Sequence, residues 1–371
     1  MARLLICAGG TGGGVNPALS IQQALADRIE STLWVGGVGG MEADLVSRQN
    51  IPFRAIPAAG LHGVGLRALP GNLSKLAQGI SASARILREF RPDVLLFTGG
   101  YVAVPMALAG RKVPQLLYVP DIEPGLALKG LARYADVIAL TAAASQRFFS
   151  PHKKLLVTGY PVRAGLKKLD RRAARQQMGL DDSLPVLLIT GGSQGARLIN
   201  QAVLALLDEL LHEFQVIHLT GELDWGTIQA ETSHLPAGLA ARYHAFPYLH
   251  EEMAAAFSSA DVVLSRAGAS TLGELPFYGL PAVLVPYPYA WRYQKVNADY
   301  LASQGAAVVI ENAQLQAELL PALHHLVMNG KVDPTMSSAM ASLAVPAAAA
   351  QIAEAVLELA VRHSSERQAQ A

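Results

Sequence analysis

The chain has 371 residues, of which 51% are hydrophobic and 16% charged, and its formal net charge at pH 7 is +1. This length allows two domains of about 150 residues each or three small ones, and the composition excludes an intrinsically disordered chain. The small net charge excludes a protein that binds nucleic acid through its overall charge, and a single cysteine, Cys7, excludes an internal disulfide or a cysteine zinc cage. No apolar run approaches the roughly 18 residues that span a bilayer, so we expect a cytosolic protein.

Short apolar runs, typical of strands buried on both faces of a parallel sheet, alternate with segments of helical periodicity along the whole chain. The strands predicted in the first half are 3–8, 32–35, 53–56, 94–97, 115–118, 137–140 and 155–157. Those in the second half are 186–190, 215–219, 243–245, 262–264, 282–285 and 307–310. Predicted helices include 73–90, 198–211 and 340–361. This alternation predicts α/β architecture with two doubly wound parallel sheets.

The two halves of the chain resemble each other, because 4–14 and 187–196 are both an apolar strand that runs into a glycine-rich turn. We therefore predict a domain over 1–160 and a second over 161–344. The alanine-rich end of the chain, 345–362, has no strand partner, and we expect it to form a helix that packs back on the first domain.

The first domain has glycine-rich segments after its first and fourth strands, Gly9-Gly10-Thr11-Gly12-Gly13-Gly14 and Gly99-Gly100-Tyr101. Glycines let the backbone approach an anion, and a following helix points its free N–H groups there. The first segment is not a dinucleotide fingerprint, because no acidic residue ends the next strand, and it lacks the Gly-Lys-Ser/Thr ending of a Walker loop. The two segments would line a crevice for a diphosphate, or serve only as tight turns.

The second domain has small residues and hydroxyls at a predicted helix start, from Ser265 to Glu274. They suit phosphate oxygens, and the Glu274 carboxylate can accept both hydroxyls of a ribose. The alternative is that Ser270 only caps the helix. Further on, the amides of Gln294 and Asn297 lie on one helical face and suit the neutral hydroxyls of a sugar. There is no Asp-X-Asp and no His-Glu-X-X-His, so we expect neither a metal nor a cofactor.

A segment rich in glycine and leucine, 61–73, carries Arg67 and is followed by Lys75, Arg85 and Arg88. A loop and helix of this kind can rest on an anionic bilayer. The alternative is an amphipathic helix packed on its own sheet.

In this order, these loops resemble the MurG family of UDP-N-acetylglucosamine transferases. The resemblance covers nearly the whole chain and rests on segments 9–13, 41–46, 91–94, 99–102, 159–163, 191–197, 253–256, 265–274 and 279–281. It implies the GT-B fold, in which two Rossmann-like domains face each other across a cleft. It also implies an inverting, metal-independent transfer of N-acetylglucosamine from UDP-GlcNAc to an undecaprenyl-diphosphate-linked muramoyl-pentapeptide, which converts lipid I to lipid II. The expected place is the inner leaflet of the cytoplasmic membrane, with the protein peripheral on its cytoplasmic face.

The resemblance also implies roles for single residues. Those expected to bind the donor are Arg163, Ser193 and Gln194 at the diphosphate, Ala269, Ser270, Thr271, Leu272, Gly273 and Glu274 at phosphate and ribose, the backbone near Leu249 at uracil, and Gln294 and Asn297 at the sugar. Those expected to face the sugar and the acceptor diphosphate are Thr11, Gly12, Gly13, Gly14, Gly99, Gly100 and Tyr101.

The sequence departs from the family pattern at three places in the expected machinery. Gly14 stands where the family has His, Tyr118-Val119-Pro120-Asp121 replaces His-Glu-Gln-Asn, and Tyr293 replaces one of two paired glutamines. The carboxylates left after the fifth strand are Asp121 and Glu123, which we take as candidate bases. The alternatives are a UDP-sugar transferase with another lipid or small-molecule acceptor, a catalytically silent UDP-sugar-binding paralogue, and a UDP-GlcNAc 2-epimerase, which would need several acid/base groups in its cleft.

Overall fold

The computed structural model describes residues 1–9, 12–40, 42–59, 69–192, 195–288 and 293–369. The chain divides into two units, which we call unit 1 (Met1–Arg163 with Val345–Ala371) and unit 2 (Ala164–Ala344). As functional domains for an acceptor and a donor, the ranges 1–160 and 161–344 stay predictions.

Unit 1 is built on a sheet of seven parallel strands in the order β3-β2-β1-β4-β5-β6-β7. The strands are β1 (Ala2–Cys7), β2 (Ile29–Gly37), β3 (Phe53–Ile56), β4 (Val94–Phe97), β5 (Gln115–Val119), β6 (Val137–Leu140) and β7 (Lys154–Val157). All seven predicted strands are confirmed, and β2 extends beyond its prediction at both ends. Strand order reverses between β1 and β4, the place where doubly wound sheets form a crevice at their carboxyl edge.

The helices of unit 1 between these strands are α1 (Gly12–Leu25), α2 (Glu42–Ser47), α3 (Leu69–Phe90), α4 (Ala103–Ala109) and α5 (Leu126–Leu131). A core of buried apolar side chains joins sheet and helices, with Leu5, Leu95 and Leu117 from neighbouring strands and Met106 from α4. Burial on both sheet faces explains why these strands read as unbroken apolar runs.

Unit 2 repeats the plan with six parallel strands in the order β10-β9-β8-β11-β12-β13, reversing between β8 and β11. These strands are β8 (Val186–Thr190), β9 (Gln215–Leu219), β10 (Tyr243–Phe246), β11 (Val262–Ser265), β12 (Ala282–Leu284) and β13 (Ala307–Val309), and a hairpin of β14 (Val327–Met328) and β15 (Lys331–Val332) follows. The helices are α6 (Arg171–Gln177), α7 (Arg197–Ala205), α8 (Leu207–Glu213), α9 (Trp225–Thr232), α10 (Ala237–Ala240), α11 (Met253–Ser259), α12 (Thr271–Tyr278), α13 (Tyr293–Ser303), α14 (Leu315–Leu326) and α15 (Pro334–Ser342). The prediction of two doubly wound parallel sheets is therefore confirmed.

Two predicted helices are wrong in their extent. The helix predicted over 198–211 is divided into α7 and α8, because Leu206 takes φ −114° and ψ 12°, away from helical values. The helix predicted over 340–361 is interrupted between the end of α15 and α16 (Ala348–Ala369). Pro346 lies in this gap, and a proline disfavours helical geometry at the residue before it.

The C-terminal helix α16 belongs to unit 1, where it contacts α1, β1, β4 and β5. In α16, Ile352 and Val356 are buried. Glu354 forms a bidentate ion pair with Arg28. None of the helices that the structure describes is long and apolar enough to cross a membrane.

Candidate functional site

In unit 2, Gly195 and Ala196 come directly before α7, in the glycine-rich segment that follows β8. Gly195 takes φ +78°, and a Cβ at this position would overlap the carbonyl oxygen of Thr220 in the loop after β9. Only glycine tolerates both the backbone conformation and this close approach. Ser193 and Gln194, predicted at the donor diphosphate, lie outside the described residues.

The loop after β11 leaves the sheet at the strand that neighbours β8 and leads into α12. The N–H groups of Thr271 and Leu272 donate to the carbonyls of Gly268 and Ala269, both at 3.1 Å. Those of Gly273 and Glu274 donate to the Ser270 carbonyl at 3.1 and 2.8 Å. The helical turn therefore starts earlier than α12 itself.

Three backbone N–H groups at this turn have no acceptor within the part of the chain that the structure describes. They belong to Gly268, Ala269 and Ser270. Unsatisfied donors at a helix start attract an anion. The Ser270 side chain makes no capping hydrogen bond. The alternative interpretation of Ser270 as a helix cap is therefore wrong.

The side chains predicted at phosphate and ribose lie in the first turn of α12. Thr271 Oγ1 donates to the Gly268 carbonyl at 2.6 Å, so this hydroxyl stabilises the turn itself. Leu272 and Glu274 are buried. Leu249, predicted near uracil, is also buried and follows β10. Their contacts with a nucleotide stay predictions.

The two amides predicted to recognise the sugar lie in α13 and hold backbone loops. Gln294 Oε1 accepts a hydrogen bond from the Tyr287 N–H at 2.9 Å. Asn297 is fully buried, and its Nδ2 donates to the Ala267 carbonyl at 3.1 Å in the loop after β11. Asn297 thus positions the loop that carries the free N–H groups, and sugar contact by either amide stays a prediction.

Arg266, which was not among the predicted site residues, is buried between the loops after β11 and β12. Its Nη1 donates to the Val285 carbonyl at 3.0 Å and to Asn312 Oδ1 at 2.7 Å. Asn312 Nδ2 in turn donates to the Pro286 carbonyl at 2.8 Å. Burial lowers the pKa of Arg266 from its ordinary value. No local sequence pattern indicates a partner as distant along the chain as Asn312.

In unit 1, the two glycine-rich segments meet at the point where strand order reverses. Gly100 takes φ +84°, and a Cβ there would overlap the carbonyl oxygen of Gly9. Gly12 and Gly13 belong to the first turn of α1 rather than to a loop, which corrects the extent of the predicted segment. Thr11 lies outside the described residues, and so does all of 60–68. Gly99 takes φ +141°, and Tyr101 is exposed.

Gly14, which stands where the family has His, lies in α1 against β4. Its carbonyl accepts a hydrogen bond from Thr98 Oγ1 at 2.7 Å, and a Cβ on it would lie 3.3 Å from the Thr98 carbonyl oxygen. The adjacent Gly13 carbonyl accepts from the Tyr160 hydroxyl at 3.4 Å. Side chains from two other segments therefore hold the start of α1.

A buried carboxylate outside the predicted site supports the same edge. Glu42, at the start of α2, accepts a hydrogen bond from the Gly37 N–H through Oε1 at 2.7 Å, and its carboxylate lies against Gly9. In the sequence, Glu42 had contributed only to the family resemblance.

The segment after β5 carries the two candidate bases. The Tyr118 hydroxyl lies 2.7 Å from Thr141 Oγ1, and burial raises the pKa of Tyr118 well above its usual range, so the phenol stays neutral. Glu123 is buried and paired with Lys129 Nζ at 2.9 Å. Asp121 is only half-buried. The structure thus places the two carboxylates in different surroundings.

Arg163, predicted at the donor diphosphate, is half-buried at the end of the first segment of unit 1. Its role stays a prediction. Among the described residues there is no group of three His, Cys, Asp or Glu side chains that could hold a metal ion.

Two family models match this chain. The glycosyltransferase family 28 N-terminal domain matches residues 4–143, and the glycosyltransferase family 28 C-terminal domain matches residues 186–352. Together with two sheets that both carry glycine loops at their reversal points, these matches define a glycosyltransferase with the GT-B fold.

A relative from Roseiflexus sp. (strain RS-1), described as "UDP-N-acetylglucosamine--N-acetylmuramyl-(pentapeptide) pyrophosphoryl-undecaprenol N-acetylglucosamine transferase", is 40% identical over 98% of this chain and 96% of its own length. The crystal structure of Acinetobacter baumannii MurG is similar with a TM-score of 0.78 and 29% identity, covering 96% of this chain and all of that one. The chain belongs to the MurG family of glycosyltransferases.

The fold is also similar to that of a UDP-GlcNAc 2-epimerase from Neisseria meningitidis, solved with UDP-GlcNAc bound. The TM-score is 0.67 with 15% identity, covering 96% of this chain and 100% of that one. At this identity the likeness shows a shared fold alone.

Proposed function

We propose that this chain transfers N-acetylglucosamine from UDP-N-acetylglucosamine to the lipid-linked muramoyl-pentapeptide, converting lipid I to lipid II in peptidoglycan synthesis. The proposal depends on the backbone N–H groups of residues 268–270, which donate no hydrogen bond within the described residues. They follow β11, the strand next to β8 and its glycine loop. A diphosphate satisfies such donors without a cation. The relative from Roseiflexus, aligned over nearly its whole length, supports the choice of substrates.

The donor diphosphate binds these N–H groups together with Arg163, Ser193 and Gln194. Glu274 accepts the ribose hydroxyls, because a carboxylate takes two donors at once. The backbone near Leu249 binds uracil. Gln294 contacts the sugar. Asn297 holds the loop after β11 in place through its hydrogen bond to the Ala267 carbonyl.

The acceptor diphosphate binds unit 1 at the contact between its two glycine-rich segments. The residues assigned to it are Thr11, Gly12, Gly13, Gly14, Gly99, Gly100 and Tyr101. The start of α1 supplies N–H groups there, and the glycines let a phosphate approach the backbone.

In the reaction, the acceptor hydroxyl attacks the anomeric carbon from the face opposite UDP, and the configuration inverts. Asp121 accepts the hydroxyl proton, because it is half-buried whereas Glu123 is buried. A base of this kind contributes roughly 10²–10⁴-fold. The C1–O bond to UDP breaks through an oxocarbenium-like transition state. The N–H groups and Arg163 stabilise the charge that grows on the leaving diphosphate, and one such donor is worth about 3 kcal/mol.

The lipid-linked acceptor places the enzyme at the cytoplasmic face of the cell membrane as a peripheral protein. Lys75, Arg85 and Arg88 are exposed on α3, where they can approach anionic headgroups. Liposome sedimentation of a triple alanine variant tests this: weaker binding to anionic vesicles is expected, and unchanged binding contradicts it.

The experiment that tests the function incubates the protein with radiolabelled UDP-GlcNAc, with and without lipid I. Label in lipid II supports the proposal. Label recovered as UDP-ManNAc would mean an epimerase, and binding without turnover would mean a silent UDP-sugar-binding protein. Arg163→Ala is expected to abolish turnover with the fold intact, and Arg172→Ala, at an exposed arginine of unit 2, is the matched control.

A further inference from the structure

A network of buried hydrogen bonds lies in unit 2 beneath the loops that follow β8, β9 and β10. His218 on β9 is fully buried. Its Nε2 lies 3.0 Å from Asn200 Oδ1, and its Nδ1 lies 2.8 Å from the Tyr243 hydroxyl. None of these three residues takes part in the reaction proposed above.

The donors and acceptors in this network have one consistent arrangement. Asn200 Nδ2 donates to the Thr220 carbonyl and to Asp224 Oδ2, both at 2.9 Å, so Oδ1 must face His218 as the acceptor. His218 Nε2 therefore carries the proton, and Nδ1 accepts from Tyr243. Burial lowers the pKa of His218 to about 3, which keeps the imidazole neutral.

The hydrogen-bond network ends on the loops that follow β8 and β9. The Thr220 carbonyl that accepts from Asn200 is the atom against which Gly195 packs. Asn200 itself lies in the first turn of α7, where its N–H donates to the Ala196 carbonyl at 2.9 Å. Asp224 also binds Nε of Arg197, the first residue of α7, at 3.0 Å. Asn200 thus joins the end of the glycine loop to the surface that supports it.

The same support continues to the loop that carries Leu249. The Thr220 N–H donates to the Phe246 carbonyl at 3.0 Å, and the Gly221 N–H donates to the Pro247 carbonyl at 3.1 Å. Three successive loops at the carboxyl edge of the sheet are therefore connected through Thr220.

We propose that Asn200 and His218 are positioning residues for the UDP group of the donor: their hydrogen bonds, completed by Tyr243, fix the glycine loop after β8 relative to the loops after β9 and β10. This inference rests on the proposed function, which places UDP at these loops.

The test measures UDP binding by calorimetry, and the KM values for donor and acceptor, in a set of variants. Asn200→Ala is expected to raise the Kd for UDP and the donor KM by about tenfold, with the acceptor KM unchanged. Tyr243→Phe, which removes only the hydroxyl, is expected to raise both by a smaller factor. His218→Gln, which offers a donor and an acceptor, should retain more affinity than His218→Leu.

The matched control is Gln215→Ala, at the opposite end of β9. Gln215 is buried and bonded to the Asp181 N–H and to the carbonyls of Asp181 and Leu184. Its loss is expected to lower Tm and leave the Kd for UDP unchanged. An equal rise in Kd in this control, or an unchanged Kd in folded Asn200→Ala, overturns the inference; if Asn200→Ala does not fold, Tyr243→Phe decides in the same way. Absence of UDP binding by the unaltered protein overturns the proposed function first and this inference with it.

Discussion

Lys129 Nζ lies 2.9 Å from Glu123 Oε1, so one of the two carboxylates after β5 is held in an ion pair. The other, Asp121, is half-buried. Glu123 is buried, so it is less accessible to an acceptor hydroxyl than Asp121 is. The two residues are therefore separable by mutation.

Asp121→Asn is expected to lower kcat by about 100-fold or more, because it removes the proposed base. Glu123→Gln is expected to change kcat by less than about tenfold and to lower Tm by about 2–4 °C, the effect of losing about 1 kcal/mol of stability. Steady-state kinetics and thermal unfolding of both variants check this. Equal loss of kcat in the two variants, or full activity in Asp121→Asn, would contradict the assignment.

Ser270→Ala separates donor binding from helix capping. Because the Ser270 hydroxyl makes no capping bond, its loss should change the free energy of unfolding by less than about 0.5 kcal/mol. Loss of a hydrogen bond to a charged phosphate should raise the donor KM by about tenfold. A destabilised variant with an unchanged donor KM would restore the capping interpretation.

Arg266 and Asn312 are expected to act together on the loop after β12. Arg266→Ala should lower the free energy of unfolding by about 3 kcal/mol, because it leaves buried acceptors without a donor. Asn312→Ala should cost less. The double variant should lose less stability than the two single variants lose together. The difference should be about 0.5–3 kcal/mol, as expected for residues in contact. Strictly additive losses in urea unfolding would show that the two side chains are independent.

The stability of unit 2 is expected to fall in acid because of His218. Burial lowers the pKa of His218 to about 3. In the unfolded chain the pKa of a histidine is about 6.5. Below that pH the unfolded chain binds a proton that the folded chain does not, so stability falls as pH falls. Between pH 7 and 5 this costs about 2 kcal/mol. His218→Gln, which does not titrate, should lack this loss; an identical acid dependence in both proteins would refute the role of His218.

The strands were predictable from the sequence because their side chains are buried on both faces, which gives the unbroken apolar runs of β1, β4 and β8. The loops of the candidate site were predictable for a related reason, since the carboxyl ends of parallel strands share one edge of a sheet. The gap around Pro346 also had a local signal, although the prediction ran the helix through it.

The partners of single side chains were not predictable. Arg266 meets Asn312, and Asn200 meets His218, only after separate loops fold onto one edge. The burial of Asn297, which was predicted to face a sugar, depends on the same packing. Spacing along the chain indicates which residues share a helix face, whereas these contacts depend on which loops become neighbours.

The most direct test is calorimetric titration of UDP into the unaltered protein, first with a chelator present and then with added magnesium. If backbone N–H groups and one arginine neutralise the diphosphate, binding is expected in both conditions with the same Kd. Heat that appears only with magnesium, or no heat in either condition, would contradict the account.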